Sequence, residues 1–238
     1  PFREDAYWDS IRALWSHGDQ EVFERAKRLC SSEKAPERQL GVDILGQLGV
    51  PERKFAGESI QILTNMLRRQ GILRKEQDPN VLYSIGIALG HLGDPKAVKL
   101  LAGMSEHPCA AVRYGVAFGL CGHKDKLAVK VLIELSSDPY AFVRNLATFG
   151  LARQIDLDTP AIREALVQRI DDEDDDTRAE ALIGLAARKD ERVIEPIIKE
   201  LGRADVSESV IEAAEKMADS RLHPALTELN RIREVGVK

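Results

Sequence analysis

Cysteine, aromatic side chains and long apolar runs are all scarce in this chain. The three cysteines, Cys30, Cys109 and Cys121, are odd in number and widely spaced, so no disulfide framework is expected, and reduced thiols in a cytoplasmic compartment are the simpler reading. Aromatic residues make up 5% of the 238 positions, which leaves the core to aliphatic side chains. No apolar run approaches the roughly 20 residues that a bilayer-spanning helix needs. Basic charge is not in excess either. With 34 Lys and Arg against 39 Asp and Glu, the net charge is -5, which argues against a surface made mainly for phosphate backbones. The opening residues, Pro1 to Trp8, lack a basic flank followed by an apolar block and a small-residue cleavage site, so no secretory signal is expected there.

What is abundant is repetition. The stretch from Asp138 to Ala152 falls on His107 to Cys121 when moved back by 31 residues, and on Asp172 to Ala186 when moved forward by 34. A period in this range marks a stacked array of helix pairs. Apolar spacing and turn residues predict six pairs, each an outer helix followed by an inner one. They run over 19–31 and 36–48, 57–70 and 80–92, 95–105 and 109–121, 126–136 and 140–154, 160–170 and 174–187, and 191–201 and 207–218. Trp8, Ile11 and Trp15 share one helical face, so residues 1–18 read as a capping helix over the open end of the array. Residues 219–238 read as a second cap around a helix from Pro224 to Glu234. The expectation is one domain spanning 1–238.

Positions within the repeat have recognisable duties. Near the end of each inner helix stand Gly46, Gly90, Cys121, Ala152, Ala186 and Glu215, mostly small residues that let neighbouring helices approach. Arg38, Arg113, Arg144 and Arg178 share an earlier position. Asp94, Asp125, Asp156 and Asp190 recur where the next outer helix begins, as acidic N-caps should.

The pattern Asp-Pro-x-x-x-Val-Arg-x-x-Ala-x-x-Gly-Leu, followed by Asp and another amphipathic helix, resembles the HEAT repeat, in particular the short bacterial form named after phycobilisome lyase subunits. The segment Glu180 to Ile194 resembles a small bacterial HEAT type encoded in some genomes beside large polymorphic toxins. The resemblance covers about residues 19–233. It implies an all-α, right-handed α-solenoid with the inner helices lining a concave face. It also implies that Arg113, Arg144 and Arg178 form a structural ladder, bridging adjacent repeats through Asp138 and Asp172. The latter two lie six residues before Arg144 and Arg178, a spacing suited to charge-assisted hydrogen bonds between neighbours.

A convergent catalytic set is not apparent. His107 and Cys109 with Cys121 and His123 look like zinc ligands as letters, but twelve residues of helix at about 1.5 Å each separate the two cysteines by roughly 18 Å, beyond one tetrahedral ion. No phosphate-binding loop or nucleophile elbow occurs. The run Asp171 to Asp176 reads as a solvated helix cap. Arg68, Arg69, Arg74, Lys75, Arg153, Arg188 and Lys189 raise the question of nucleic acid, and some HEAT-like proteins are alkylpurine DNA glycosylases. Their aromatic and acidic constellation has no residue-by-residue counterpart here. The expectation is therefore no enzyme, no metal and no cofactor.

The residue after the ladder position and the one four further on share a helical face. Tyr83, Ile87, Tyr114, Phe118, Asn145, Phe149 and Ile183, flanked by His91 and Arg153, give an aromatic and aliphatic stripe that reads either as core between repeats or as a groove for a protein segment. The functional expectation is a monomeric scaffold or adaptor that binds a protein on its concave face, with a bacterial immunity protein as its specific version. The alternatives are a HEAT-like nucleic-acid-binding protein or DNA glycosylase, and a chaperone-like lyase subunit.

Overall fold

The computed structural model describes residues 18–68 and 76–236. Among them are thirteen α-helices and no β-strand, so the chain is all-α, as the repeat pattern requires. The expected capping helix with Trp8, Ile11 and Trp15 lies outside the described residues, as do Arg69, Arg74 and Lys75. The chain divides into two compact units, Pro1–Leu120 and Cys121–Lys238.

In the first unit, α1 (Gln20–Leu29) pairs with α2 (Ala35–Gln47) and α3 (Ala56–Leu67) with α4 (Pro79–Leu92). A 3-10 turn at Pro95–Ala97 leads into α5 (Val98–Ala102), which pairs with α6 (Ala110–Leu120). The second unit holds α7 (Lys126–Leu135) with α8 (Ala141–Phe149), α9 (Pro160–Val167) with α10 (Asp175–Ala187), and α11 (Ile194–Leu201) with α12 (Glu208–Met217). The last helix, α13 (His223–Gly236), follows a 3-10 turn at Ser220–Leu222.

Within each unit the second helices pack on one another, α2 on α4 and α4 on α6, then α8 on α10 and α10 on α12. Small residues permit this. A Cβ added at Gly86 would stand 2.6 Å from the carbonyl carbon of Gly115, and one at Gly46 would stand 2.7 Å from Cβ of Ala88. Glycine thus gives up helix propensity of up to about 1 kcal/mol in return for backbone contact between neighbouring repeats. The closeness explains why α10 buries Thr177, Ala179 and every residue from Ala181 to Ala186: it is covered on both flanks and by its own partner helix. Leu45, Leu63, Ile85 and Leu89 fill the first core, and Leu132, Leu151, Ile162 and Leu166 the second. Each contributes about 1.5 to 3 kcal/mol by leaving water.

Helix starts follow the carboxylates. Asp19, Asp78, Asp94, Asp125, Asp174, Asp190 and Asp219 each accept a backbone N–H two or three residues ahead. Asp156 does not. Helix α9 begins later, at Pro160, whose missing N–H is harmless in the first turn, and Thr159 caps it by accepting from Ile162 N at 3.3 Å. Asp156 instead pairs with Lys124 at 2.7 Å.

The cause of the delay lies at the end of α8, which continues as a π-helical turn at Gly150–Gln154. A π turn and the extended segment after it leave carbonyls without helix partners. Arg188 supplies the donors: its Nη2 donates to the carbonyls of Leu151 at 2.9 Å, Ile155 at 2.7 Å and Leu157 at 2.9 Å, and Nη1 to that of Gly184 at 2.8 Å.

Candidate functional site

The arginine position sets the geometry of each second helix. Arg38, Arg113, Arg144 and Arg178 all use Nη1 in the same way, donating to the carbonyls six and five residues earlier. The acceptors are Ser32 and Glu33, His107 and Pro108, Asp138 and Pro139, and Asp172 and Glu173. Each arginine therefore closes the turn that leads into its own helix.

In Arg38, Arg144 and Arg178 the remaining donors reach the following repeat. Arg144 meets Asp172 with Nε to Oδ2 at 2.9 Å and Nη2 to Oδ1 at 2.8 Å, and the two side chains are 7% and 4% exposed. Arg38 repeats the fork on Glu76, at 2.6 and 3.0 Å, and Arg178 reaches Glu200 at 3.5 Å. Asp138 uses a carboxylate oxygen to cap its own turn, accepting from Tyr140 N at 3.0 Å. Burial pushes the carboxyls of Asp172 and Glu76 up, but the arginine fork and the backbone N–H groups that they accept more than offset it, so both stay ionised below the usual range. The rungs at Glu76 and Glu200 were missed in sequence because an acidic position was sought as Asp. Glu76 lies six residues before Leu82, the spacing that also places Asp172 before Arg178, and that signal could have found it.

The residue after the ladder position, which holds Leu82 in the second repeat, and the one four on take a common face. In the first unit, the rings of Tyr83 and Tyr114 stand 6.3 Å apart, tilted by 34°. His91 meets Phe118 edge-on at 5.1 Å, and Phe118 lies over Gly90, where an added Cβ would come within 2.8 Å of its ring. Tyr83, Ile87, Tyr114 and Phe118 are all half-buried. They pack along one edge between repeats and present the other.

The row itself is made of uncharged side chain types, Tyr83, Ile87, Tyr114 and Phe118. Burial pushes the His91 imidazole down, with a further push from Arg53, and burial raises the Tyr83 phenol, aided by Tyr114 and Asp43. Neutral rings with hydroxyl and imidazole edges suit the apolar and hydrogen-bonding groups of a protein segment.

The second unit differs. Asn145 and Phe149 are half-buried, in keeping with the same face. Ile183 is 1% exposed and belongs to the core, because the small residues of α10 bring its neighbours close enough to cover it. It lines a cleft of about 410 Å³ together with Ala152, Ile155 and Ala187. Arg153 is committed to carboxylates. Its Nε donates to Glu180 at 2.6 Å, and Nη1 and Nη2 to the two oxygens of Glu212 at 2.8 and 2.9 Å.

Of the described cations considered for nucleic acid, Arg68 is exposed, whereas Arg153, Arg188 and Lys189 are engaged by the protein. Arg188 holds carbonyls, and Lys189 donates to the carbonyls of Lys216 and Met217. The run Asp171 to Asp176 divides its duties, Asp172 to the ladder and Asp174 to capping Thr177. Among the described residues no group of His, Cys, Asp and Glu could hold a metal ion. His107 Nδ1 accepts the N–H of Cys109 at 3.1 Å as a local turn contact. Burial pushes the thiols of Cys30 and Cys121 up to about 12, which makes them packing groups and poor nucleophiles. No described helix is long and apolar enough to cross a membrane.

Comparison with known proteins agrees with this geometry. Residues 69–152 match the model of the HEAT repeats. Protein YibA of Escherichia coli, in strains K12 and O157:H7, is 31% identical over 248 residues, covering 91% of this chain and 77% of YibA. The crystal structure of E. coli YibA superposes with a TM-score of 0.75 at 26% identity, over 97% of this chain and 87% of that one. An archaeal HEAT-like repeat protein from Thermococcus onnurineus NA1 shares the fold, with a TM-score of 0.58 at 14% identity, over 92% and 93% of the two chains. The small bacterial type that Glu180 to Ile194 resembles is the YibA type, and the chain belongs to the YibA-like HEAT-repeat proteins.

Proposed function

We propose that this protein is a non-enzymatic scaffold or adaptor that captures a protein partner on the face of its second helices, acting as a monomer in the bacterial cytoplasm. The observation that supports it most is the neutral row of Tyr83, Ile87, Tyr114 and Phe118. These side chains are half-buried, and they are held side by side by the close packing of α4 on α6 at Gly86 and Gly115. Tyrosine and phenylalanine on a rigid frame are the residue types through which interfaces gain most of their energy. Asn145 and Phe149 hold the equivalent positions in the second unit and are proposed as partner-contacting residues there. Relatives of the YibA type make an adaptor or immunity role toward one cognate protein the specific form of this reading, an argument by family rather than by site.

Affinity purification from the native bacterium, with mass spectrometry of the bound chains, tests the reading. One co-purifying protein is expected with the natural sequence. It should be depleted at least roughly tenfold by Tyr114→Ser with Phe118→Ser, and retained by Leu127→Ser on α7. Turnover of a small molecule by the pure protein, lost on one substitution in this row, would make it an enzyme instead.

A further inference from the structure

The fourth repeat departs from the others at the two positions where its second helix begins. Tyr140 and Phe142 stand there. The equivalent positions hold Lys34 and Pro36, Asp78 and Asn80, Cys109 and Ala111, and Asp174 and Asp176. Asp78 and Asp174 accept backbone N–H groups and cap their helices, whereas Tyr140 gives α8 no side-chain cap. Both rings are turned to water, 53% and 47% exposed, with centroids 5.8 Å apart and planes tilted by 56°. Helix α8 has thus given up a cap in favour of two solvent-facing aromatics, and exposed apolar surface of this kind marks interaction sites.

An acidic turn adjoins them. Arg144 donates from Nη1 to the carbonyl of Pro139 and from Nη2 to Oε1 of Glu173, each at 3.2 Å. One guanidinium therefore joins the aromatic step to the turn at 171–176. Asp172 and Asp174 are used internally, while Asp171, Glu173, Asp175 and Asp176 are exposed. Lys199 and Arg203 meet Asp171 and Asp175 at 3.4 and 3.3 Å, surface pairs that an incoming cation can replace at little cost. Residues 121–238 carry 24 Asp and Glu against 18 Lys and Arg, so the field of this unit attracts cations and repels nucleic acid.

We propose that Tyr140 and Phe142, with Glu173 and Asp176, form a second docking surface, whose occupant is a basic protein segment. Its Lys or Arg stems lie along the rings, and their charged heads meet the ring faces and the carboxylates. This proposal stands or falls separately from the one for the row at Tyr83 and Phe118.

The test uses the full chain and a fluorescent peptide of about 15 residues alternating Lys or Arg with Leu, with a Glu-for-Lys and Glu-for-Arg version as control. Fluorescence anisotropy should show saturable binding of the basic peptide, weakened by roughly tenfold or more between about 50 and 500 mM salt. Tyr140→Asp combined with Phe142→Asn, which installs the residue types of the second repeat, should weaken it at least roughly tenfold although the change adds a negative charge. The same variant should melt at or above the natural temperature, because an Asp cap is restored. Glu173→Gln with Asp176→Asn should weaken binding several-fold. The proposal is overturned by no saturable binding, by equal binding of the acidic peptide, or by unchanged or tighter binding to the variant that combines Tyr140→Asp and Phe142→Asn, which would reduce the effect to net charge. A clear drop in the melting temperature of that variant would make the rings structural, and a dimer of the natural chain lost in the variant would make a second copy the occupant.

Discussion

Arg144 and Asp172 are joined by two parallel hydrogen bonds, at 2.9 and 2.8 Å, with both side chains almost wholly buried. The third arm of the same guanidinium holds the carbonyls of Asp138 and Pro139. One side chain thus closes its own turn and locks the next repeat in place.

Removing that side chain strands a buried carboxylate as well as losing contacts, so Arg144→Ala should destabilise by about 3 kcal/mol. Arg144→Lys should recover part of this, since an ammonium keeps the charge without the fork. Urea unfolding measures both, and a loss below about 0.5 kcal/mol for the alanine variant would show that the ladder contributes nothing.

The ladder also sets the response to acid. Asp172 and Glu76 have folded-state pKa values below their unfolded ones, so the stability that they supply is fully present above about pH 4. It is lost as pH falls through the folded values. Asp172→Asn should be less stable than the natural chain at pH 7, and the gap should narrow below about pH 4 as the natural carboxylate takes up its proton. Unfolding at a series of pH values checks this, and a constant gap would contradict it.

Thr148 is fully buried in α8, and its hydroxyl has no hydrogen-bond partner. Thr148→Val keeps the shape and removes the unsatisfied group, which should raise stability by about 1 kcal/mol. Thermal unfolding would show the gain, and a loss would mean that the hydroxyl has work to do in the fold.

Phe118 and Phe149 should show intermediate costs. A fully buried Phe truncation costs about 3 to 5 kcal/mol and an exposed change about 0.5 kcal/mol. Half-burial places Phe118→Ser and Phe149→Ser at about 1 to 2 kcal/mol each. Cooperative urea unfolding of the two variants measures this, and a cost of about 3 kcal/mol or more for either change would place its ring in the core.

Helix pairing was readable because period, small residues and caps agree. The observed second helices begin and end close to the expected bounds, even where α8 turns into a π segment. That segment was not readable. Its carbonyls are satisfied by Arg188, 31 to 37 residues away in sequence, and no local pattern announces such a donor. The same distance hid the idleness of Asp156 as a cap, although α9 begins at Pro160 as expected. For the stripe, helical spacing identified the shared face but not its depth. Depth depends on how closely neighbours approach, and the small residues of α10 let the neighbouring helices cover Ile183. Arg153 is expected to flank the stripe, but its carboxylate partners lie 27 and 59 residues ahead in sequence, where no local pattern points to them.

The central claim is that the row at Tyr83, Ile87, Tyr114 and Phe118 receives a protein. Replacing Phe118 by the photo-crosslinker p-benzoylphenylalanine in the native bacterium tests it directly, with the same replacement at the exposed Leu127 of α7 as control. A single heavier adduct containing one other protein is expected from position 118 and not from position 127. Adducts from position 127 alone, or the same mixture of proteins from both, would contradict the claim and leave the row as packing between repeats.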